Sequence, residues 1–452
     1  MRPDSGPISQ ALVHGLPAGA VVCVAFSGGR DSSVLLHALA RLRASRRFEL
    51  RAVHVNHNLQ ASARQWELHV AEVATRLQVP YSIARVIVRN DGGEGLEAAA
   101  RTARYDALRH QLRPGDRLLT AHHAGDQLET VLLHLFRGSG VTGLAGIPRD
   151  SPFGPGRLCR PLLDVPSEAL QAYATAILEP EGISWLADPM NADPAYDRGY
   201  LRHEVAPILR RRFPAVARAA GRSASLAAEA TELLDSLARS DAELAMSGDR
   251  LVLSWLRAQS PARQRNLVRY LARERGWAVP PERRLREGMA QLLGAAAGKQ
   301  PVLRWGGHEI RRFRQHVYLL DAGAPGDVAD AAPLDWCNGE TLELGGQRGT
   351  LSLGRGRSAG VGLAPEIVAD GLKVMFRSGG ERVRANGDRH HRTLKYLFQA
   401  HGIVPWMRCH VPLIFAGDKL AAVADLWMAD WAAAGPSVRG FEVDWSLHAP
   451  IQ

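Results

Sequence analysis

The stretch that decides the fold is VVCVAFSGGRDSS, which runs from Val21 to Ser33. An apolar run that suits a strand passes into a small turn with two glycines, and this turn opens a helix. Glycine lets the backbone approach an anion closely, and a helix start offers unpaired N–H groups at the positive end of its dipole. The three serines add hydroxyl donors. The pattern therefore predicts a phosphate site, built for pyrophosphate.

The loop differs from two common nucleotide motifs. The sequence has no Gly-x-x-x-x-Gly-Lys-Ser/Thr run, and no Gly-x-Gly-x-x-Gly follows this strand. The loop resembles instead the PP-loop of the ATP pyrophosphatases, which implies an enzyme that cuts ATP between its α and β phosphates. An ordinary Gly-Ser turn between strand and helix is the alternative interpretation. The predicted ATP-binding residues of the loop are Ser27, Gly28, Gly29, Arg30, Asp31, Ser32 and Ser33.

Size, charge and cysteine content narrow the class of protein. The chain has 452 residues, which is too long for one core, and a formal net charge of +10, which favours a polyanionic partner such as RNA. Its four cysteines form no Cys-x-x-Cys pair, which disfavours a zinc ribbon or a disulfide framework and suits a reducing cytoplasm. No run resembles a signal peptide or spans a bilayer. We expect a cytoplasmic protein with no membrane partner.

Strand and helix signals alternate through the first half of the chain, as in a parallel sheet covered on both faces. We expect an α/β fold whose N-terminal domain is a doubly wound parallel sheet, with ligands at the carboxyl ends of the strands. A small helical middle domain and a mixed α/β C-terminal domain should follow. The predicted boundaries are 1–215, 216–325 and 326–452. Predicted strands cover 21–26, 49–55, 81–88, 116–121, 309–319, 351–353, 372–376 and 413–415, and predicted helices cover 32–43, 62–78, 95–112 and the residues from about 126 to 137.

Polar side chains gather at the predicted ends of two further strands. His54 and His57 are interpreted as nucleotide contacts or as a merely polar strand end, because alternation makes a joint metal site from this pair improbable. The run from His122 to Thr130 delivers imidazole, carboxylate and amide groups at a helix start. Asp126 can be the N-cap of that helix with Glu129 as its capping-box partner, which does not exclude metal binding.

Other motifs follow the same order along the chain as those of one enzyme family. They are Glu97–Tyr105, Asp126–Thr130, Arg137–Gly140, Arg160–Leu163, Asp188–Asn191, Tyr196–Arg198, Leu201–Arg202, Phe376–Arg382, Arg389–Lys395 and Pro405–Trp406. With the loop at Ser27–Ser33 and the His54–His57 strand end, the chain resembles the tRNA(Ile)-lysidine synthetases over nearly its whole length. The PP-loop is shared by several enzyme families, so the later motifs and their order select this one.

The resemblance implies an ATP-dependent ligase that attaches free L-lysine to the wobble cytidine of a CAU-anticodon tRNA(Ile), through an adenylated cytidine. It implies ATP and Mg²⁺ as cofactors, a PP-loop catalytic domain in 1–215, and tRNA binding by 326–452, where basic residues outnumber acids eight to two between Lys373 and His410. The oligomeric state stays open between a monomer and a homodimer.

The candidate residues fall into four groups. The catalytic candidates are Asp31, His123, Asp126 and Glu129, the last three also being candidates for binding cationic lysine. His54 joins the loop in binding ATP, and Asp31 and Asp126 are candidate Mg²⁺ ligands. The candidates for binding tRNA or phosphate are Arg101, Arg104, Arg137, Arg160, Arg198, Arg202, Arg377, Arg382, Arg389, His390, Arg392 and Lys395.

Three positions depart from the family pattern. Gly125 stands where the family usually has the first of two adjacent aspartates, Met190 replaces a usual serine, and Asn58 replaces a common glycine. Because the PP-loop and Asp126 remain, we expect an active enzyme.

Three other classes of protein remain as alternatives. The lack of a Cys-x-x-Cys pair disfavours a PP-loop tRNA thiolase, and the basic C-terminal region disfavours a small-molecule amide synthetase. A non-catalytic RNA-binding protein with a decayed nucleotide site is disfavoured by the retained loop.

Overall fold

A computed structural model of the chain describes residues 6–15, 19–57, 63–88, 96–187, 196–296, 298–321, 332–337, 340–345, 348–448 and 451. It divides into two compact units, Met1–Leu234 and Asp235–Gln452. Among the described residues, no helix is both long enough and apolar enough to cross a membrane.

A six-stranded sheet forms the centre of the N-terminal unit, in the order β3-β2-β1-β4-β6-β5. All neighbouring pairs are parallel except β5 and β6, which are antiparallel. The chain moves outward from β1 to β3 and then returns to β4 on the other side of β1, so the crevice for a ligand lies at the carboxyl ends of β1 and β4. The strands are β1 Val21–Ala25, β2 Glu49–Asn56, β3 Tyr81–Arg85, β4 Arg117–Leu119, β5 Asp150–Phe153 and β6 Gly156–Cys159.

Both faces of this sheet are buried, which confirms the doubly wound prediction. Val22 and Val24 belong to one hydrophobic cluster, whereas Cys23 between them belongs to another that also contains Leu118. The helices are α1 Pro7–Gly15, α2 Arg30–Arg46, α3 Ala63–Arg76, α4 Leu96–His110, α5 Ala124–Phe136, α6 Val141–Leu144, α7 Ser167–Tyr173, α8 Asp197–Tyr200, α9 Ala206–Arg212 and α10 Val216–Ala245. π-Helical turns at Ala174–Leu178 and Leu201–Val205 extend α7 and α8.

The first part of the C-terminal unit combines helices with an antiparallel sheet of five strands, in the order β7-β8-β11-β10-β9. The single strand predicted over 309–319 is in fact the hairpin of β10 and β11, because Arg314 takes a left-handed φ of 51° and turns the chain. The elements are β7 Met246–Ser247, β8 Arg250–Val252, α11 Leu253–Ala258, α12 Pro261–Glu274, α13 Glu282–Gly294, β9 Val302–Trp305, β10 His308–Phe313 and β11 His316–Asp321.

The remainder of the C-terminal unit is the mixed α/β structure that the sequence predicts. Its hydrophobic cluster includes Trp336, Leu351, Leu372, Phe398 and Leu413. The strands are β12 Leu334–Trp336, β13 Leu342–Glu343, β14 Thr350–Arg355, β15 Leu372–Met375, β16 Arg382–Val383, β17 Arg392–Thr393, β18 Leu413–Ala416, β19 Lys419–Val423, β20 Trp427–Met428 and β21 Phe441–Ser446, and the helices are α14 Pro365–Ala369 and α15 Leu394–Ala400.

Candidate active site

The phosphate loop joins β1 to α2 and is held by its own hydroxyl groups. The Oγ atoms of Ser32 and Ser33 donate to the Gly29 carbonyl at 2.9 and 3.0 Å, and Ser27 Oγ lies 3.0 Å from Ser32 Oγ. The backbone N–H of Leu186 donates to the Gly28 carbonyl at 3.0 Å. These hydrogen bonds hold the shape of the loop, and Ser27 is its exposed hydroxyl.

Gly28 is the residue that makes this loop shape possible. Its φ of 84° lies in the left-handed region, which costs other residues about 1–2 kcal/mol. A Cβ at Gly28 would lie 3.4 Å from both Trp66 and Val70, so α3 closes that side of the loop. The sequence correctly predicts glycine in this turn. No local sequence pattern predicts that α3 packs against the loop.

Helix α5 brings a second group of predicted residues to the loop. The helix begins at Ala124 with His123 as its N-cap, and Asp126 Oδ2 accepts the His123 backbone N–H at 2.8 Å. The interpretation of Asp126 as the N-cap with Glu129 as its capping-box partner is therefore wrong, and each role belongs to a residue three positions earlier. Asp126 is the partner, because the histidine ring can itself accept from the first turn of the helix.

The side chains of Asp31, His123 and Asp126 meet between α2 and α5. His123 Nε2 lies 3.6 Å from Asp31 Oδ2 and 3.7 Å from Asp126 Oδ2. Burial lowers the pKa of His123, but the nearby carboxylates of Asp31 and Asp126 outweigh it and raise the pKa above its usual value. Burial raises the pKa of Asp31, but His123 and Arg30 outweigh that effect and lower it. The loop and α5 thus share one electrostatic cluster.

Buried Glu129 and half-buried Arg202 extend this cluster. Arg202 Nε and Nη2 donate to the two carboxylate oxygens of Glu129 at 2.7 and 2.8 Å, and Nη2 also donates to Asp126 Oδ1 at 3.0 Å. The Glu129 side chain is only 4% exposed. Burial lowers the pKa of Arg202, but the hydrogen bond and charge of Glu129 raise it more. Asp126, Glu129 and Arg202 are all predicted site residues, but the sequence does not predict that Arg202 pairs with both carboxylates.

A cluster of arginines lies near Tyr105 in the same unit. The guanidinium groups of Arg101 and Arg104 lie 4.9 and 5.4 Å from the centre of the Tyr105 ring. Burial lowers the pKa of Arg160, and the charge of Arg101 lowers it further. The Arg160 Nε is buried without a hydrogen-bond partner among the described residues. An anion would satisfy this concentration of positive charge.

One histidine, His122, lies in the same positive environment. Burial lowers the pKa of His122 to about 4, and the nearby charges of Arg160, Arg101 and Arg104 act in the same direction against that of Asp126. His54 Nδ1 lies 2.9 Å from the Phe26 carbonyl, which it therefore contacts as a donor. His122 and Tyr105 lie within the sequence motifs, but they are not among the predicted site residues.

The other predicted arginines of the N-terminal unit lie at its surface. Arg137 pairs with Asp197 at 3.0 Å, and both side chains are about two-thirds exposed or more. Arg198 Nη2 donates to Thr130 Oγ1 at 3.4 Å. These contacts do not test the binding of RNA, which stays a prediction for Arg137 and Arg198.

The predicted basic residues of the C-terminal unit surround two short turns. Arg377 Nε pairs with Glu381 at 3.3 Å, and Arg392 Nε pairs with Asp388 at 2.8 Å. The exposed members of the set are Arg382, Arg389, His390 and Lys395. These four exposed cations form no ion pair with another described residue, and they are of the kind that contact phosphates.

The described residues contain no group of three or more His, Cys, Asp or Glu arranged to hold a metal ion. Mg²⁺ often binds one or two carboxylates together with substrate phosphates, so a complete protein cage is unnecessary. Asp31 fits that mode, because it is 33% exposed beside the phosphate loop. Both oxygens of Asp126 already accept hydrogen bonds.

Some predicted features lie outside the described residues. They are Asn58, the segment Asp188–Asn191 with Met190, and the side chain of Glu97.

Three family models match successive parts of the chain. A model described as the PP-loop domain matches residues 8–209, the TilS substrate binding domain matches 251–318, and the TilS substrate C-terminal domain matches 372–445. The first match implies the use of ATP.

Curated relatives match the chain over most of its length. The tRNA(Ile)-lysidine synthase of Alkalilimnicola ehrlichii is 46% identical over 92% of this chain and 92% of its own. The enzymes of that name from Coxiella burnetii and Methylococcus capsulatus are each 38% identical, over 94% and 96% of this chain and 92% and 98% of theirs. The U34-tRNA thiolase NcsA from Methanococcus maripaludis is 15% identical over 47% of this chain and 72% of that one, and its TM-score of 0.39 is too low to bear on function. The chain belongs to the tRNA(Ile)-lysidine synthase family.

Proposed function

We propose that this chain is a ligase that joins free L-lysine to carbon 2 of the wobble cytidine in a CAU-anticodon tRNA(Ile), with ATP converted to AMP and pyrophosphate. The supporting observation is the cluster of Asp31, His123 and Asp126 at the end of the phosphate loop, in a chain of this family. We assign the ATP chemistry to residues 1–215 and tRNA binding chiefly to residues 326–452. We also propose that the protein acts in the cytoplasm.

The first half-reaction needs a stabilised leaving group. The cytidine O2 forms a bond to the α-phosphorus of ATP, and the bond from that phosphorus to the bridging oxygen of the β-phosphate breaks. The loop from Ser27 to Ser33, with the N-terminus of α2, would hold the departing pyrophosphate. Asp31 would hold Mg²⁺ against the phosphates, where the bound ion supplies further charge neutralisation.

The second half-reaction needs a neutral amine. The side-chain amine of free lysine has a pKa of about 10.4, so it must give up a proton before its nitrogen attacks carbon 2. As that bond forms, the bond from carbon 2 to O2 breaks, and AMP leaves with the oxygen. Because His123 Nδ1 accepts a backbone N–H, the neutral ring carries its proton on Nε2. The carboxylates of Asp31 and Asp126 are therefore our candidates for holding the ammonium and receiving its proton.

The remaining acidic candidate has a different role in this proposal. Glu129 directs both oxygens at Arg202, so it fixes the guanidinium that also contacts Asp126. In this proposal, free lysine binds next to the pair of Glu129 and Arg202, and not to Glu129 alone.

The decisive test is transfer of labelled lysine to a CAU-anticodon tRNA(Ile) transcript. Incorporation should require ATP and should be lost when the wobble cytidine is changed to uridine. Tight binding of the transcript without incorporation would reject the ligase and favour a decayed nucleotide site.

Arg389→Ala should weaken binding of tRNA on the order of fivefold, because a phosphate contact is lost. For the same reason, the slope of the logarithm of the binding constant against the logarithm of the salt concentration should become shallower by about one. Binding can be measured by filter retention over a series of salt concentrations. ATP binding should be unchanged. Arg46→Ala removes an equally exposed arginine from the far end of α2 and is the matched control. An unchanged tRNA affinity for Arg389→Ala would remove this face from the interface.

A further inference from the structure

Gly125, where this chain departs from the family pattern, lies against the ring of His123. A Cβ at Gly125 would lie 2.7 Å from His123 Cε1 and 3.0 Å from Nδ1. The Gly125 backbone N–H donates to the same Nδ1 at 2.9 Å. The space for the ring, rather than a left-handed backbone, therefore requires glycine here.

The histidine ring has little freedom to move aside. His123 is 6% exposed, and its Nε2 faces Asp31 and Asp126 at 3.6 and 3.7 Å. Since the lone pair of Nδ1 receives the Gly125 N–H, the proton of the neutral ring is on Nε2. A displaced ring would lose the backbone hydrogen bond and turn Nε2 away from the carboxylates.

We propose that Gly125 is a positioning residue for His123. The missing side chain lets the imidazole fold onto the first turn of α5 and present Nε2–H to Asp31 and Asp126. This inference deepens the proposed function, on which its kinetic consequence rests, whereas the ring geometry stands independently of the reaction.

From the family pattern alone, an aspartate at position 125 should restore a missing carboxylate and so favour activity. The geometry at Gly125 predicts the opposite. In this chain the Cβ of that aspartate would occupy the space of the His123 ring, and it would also lie 3.3 Å from Arg210 Nη2. We therefore expect Gly125→Asp to be less active than the unchanged protein.

The test is a double-mutant cycle with Gly125→Ala and His123→Ala in the full chain. Gly125→Ala alone should lower tRNA-dependent release of pyrophosphate by about 100-fold, as expected when a side chain that orients the reactive carboxylates is displaced by about 1 Å. In the His123→Ala background it should have less than a twofold further effect, because the group that it displaces is gone. Additive losses would overturn the proposal.

A spectroscopic measurement keeps the test independent of turnover. In protein labelled with ¹⁵N-histidine and studied at a pH high enough to keep the ring neutral, the His123 signal, identified by its loss in His123→Ala, should show an unprotonated Nδ1 and a protonated Nε2. In Gly125→Ala the protonation pattern should change. An unchanged pattern would refute the positioning role, whereas the expected pattern in a protein that makes no lysidine would count against the proposed function alone.

The matched control is Gly221→Ala, another glycine within a helix. Outside its own helix turn, a Cβ there would meet no atom of the described residues within 4 Å, so activity and the His123 signal should both be unchanged. Thermal unfolding of each variant identifies any general loss of structure.

Discussion

Replacing Asp31 with asparagine is expected to reduce tRNA-dependent release of pyrophosphate by about 1,000-fold, on the scale seen when one preorganised electrostatic contact is lost. Asparagine keeps the shape of the side chain but removes the negative charge that His123 Nε2 and Arg30 Nε face at 3.6 and 2.8 Å. It also removes the charge needed to hold Mg²⁺ beside the phosphates. A quench assay with labelled ATP measures the effect.

The affinity for tRNA should be unchanged in Asp31→Asn, which separates a catalytic defect from a folding defect. Asp150→Asn is the matched control, because Asp150 lies on the edge strand β5, where it pairs with Arg157 of β6. Normal pyrophosphate release by Asp31→Asn would exclude Asp31 from the chemistry.

Arg202→Ala is expected to lower the free energy of unfolding by about 3 kcal/mol, because removing one partner leaves a buried charge uncompensated. Glu129 would lose both guanidinium hydrogen bonds while its side chain stays buried. Urea denaturation gives the magnitude. Arg202→Lys should recover little, since an ammonium cannot reproduce the two parallel hydrogen bonds.

Two comparisons make this prediction specific. Arg149→Ala breaks an exposed pair with Asp164 and should change stability by less than about 0.5 kcal/mol. Combining Arg202→Ala with Glu129→Gln should recover part of the stability, because the buried charge is removed as well. A loss in Arg202→Ala no larger than in Arg149→Ala would show that the pair is energetically unimportant.

The sequence predicted the parts of the fold that depend on local patterns. The run from Val21 to Phe26 is apolar because both of its faces are covered, and the glycines that follow match the left-handed φ at Gly28. The alternation of strands with helices then leads to a doubly wound sheet.

The rest depended on contacts between distant residues. Arg202 lies 73 residues from Glu129, and no local pattern pairs them. At α5, both His123 and Asp126 suit a helix start, and only the position of the ring against Gly125 decides which one is the cap. The hairpin of β10 and β11 was hidden because arginine rarely signals a left-handed turn.

The adjacency of β1 and β4 has a mechanical consequence for the chemistry. These strands pair over three positions, Val22 with Arg117, Cys23 with Leu118 and Val24 with Leu119, and they lead directly to Asp31 and His123. A slip of one residue would move the two groups by about 3.3 Å along the strand and reverse the side chains. The register of this short ladder therefore sets where the loop and α5 begin relative to each other, and with it the distance between Asp31 and His123.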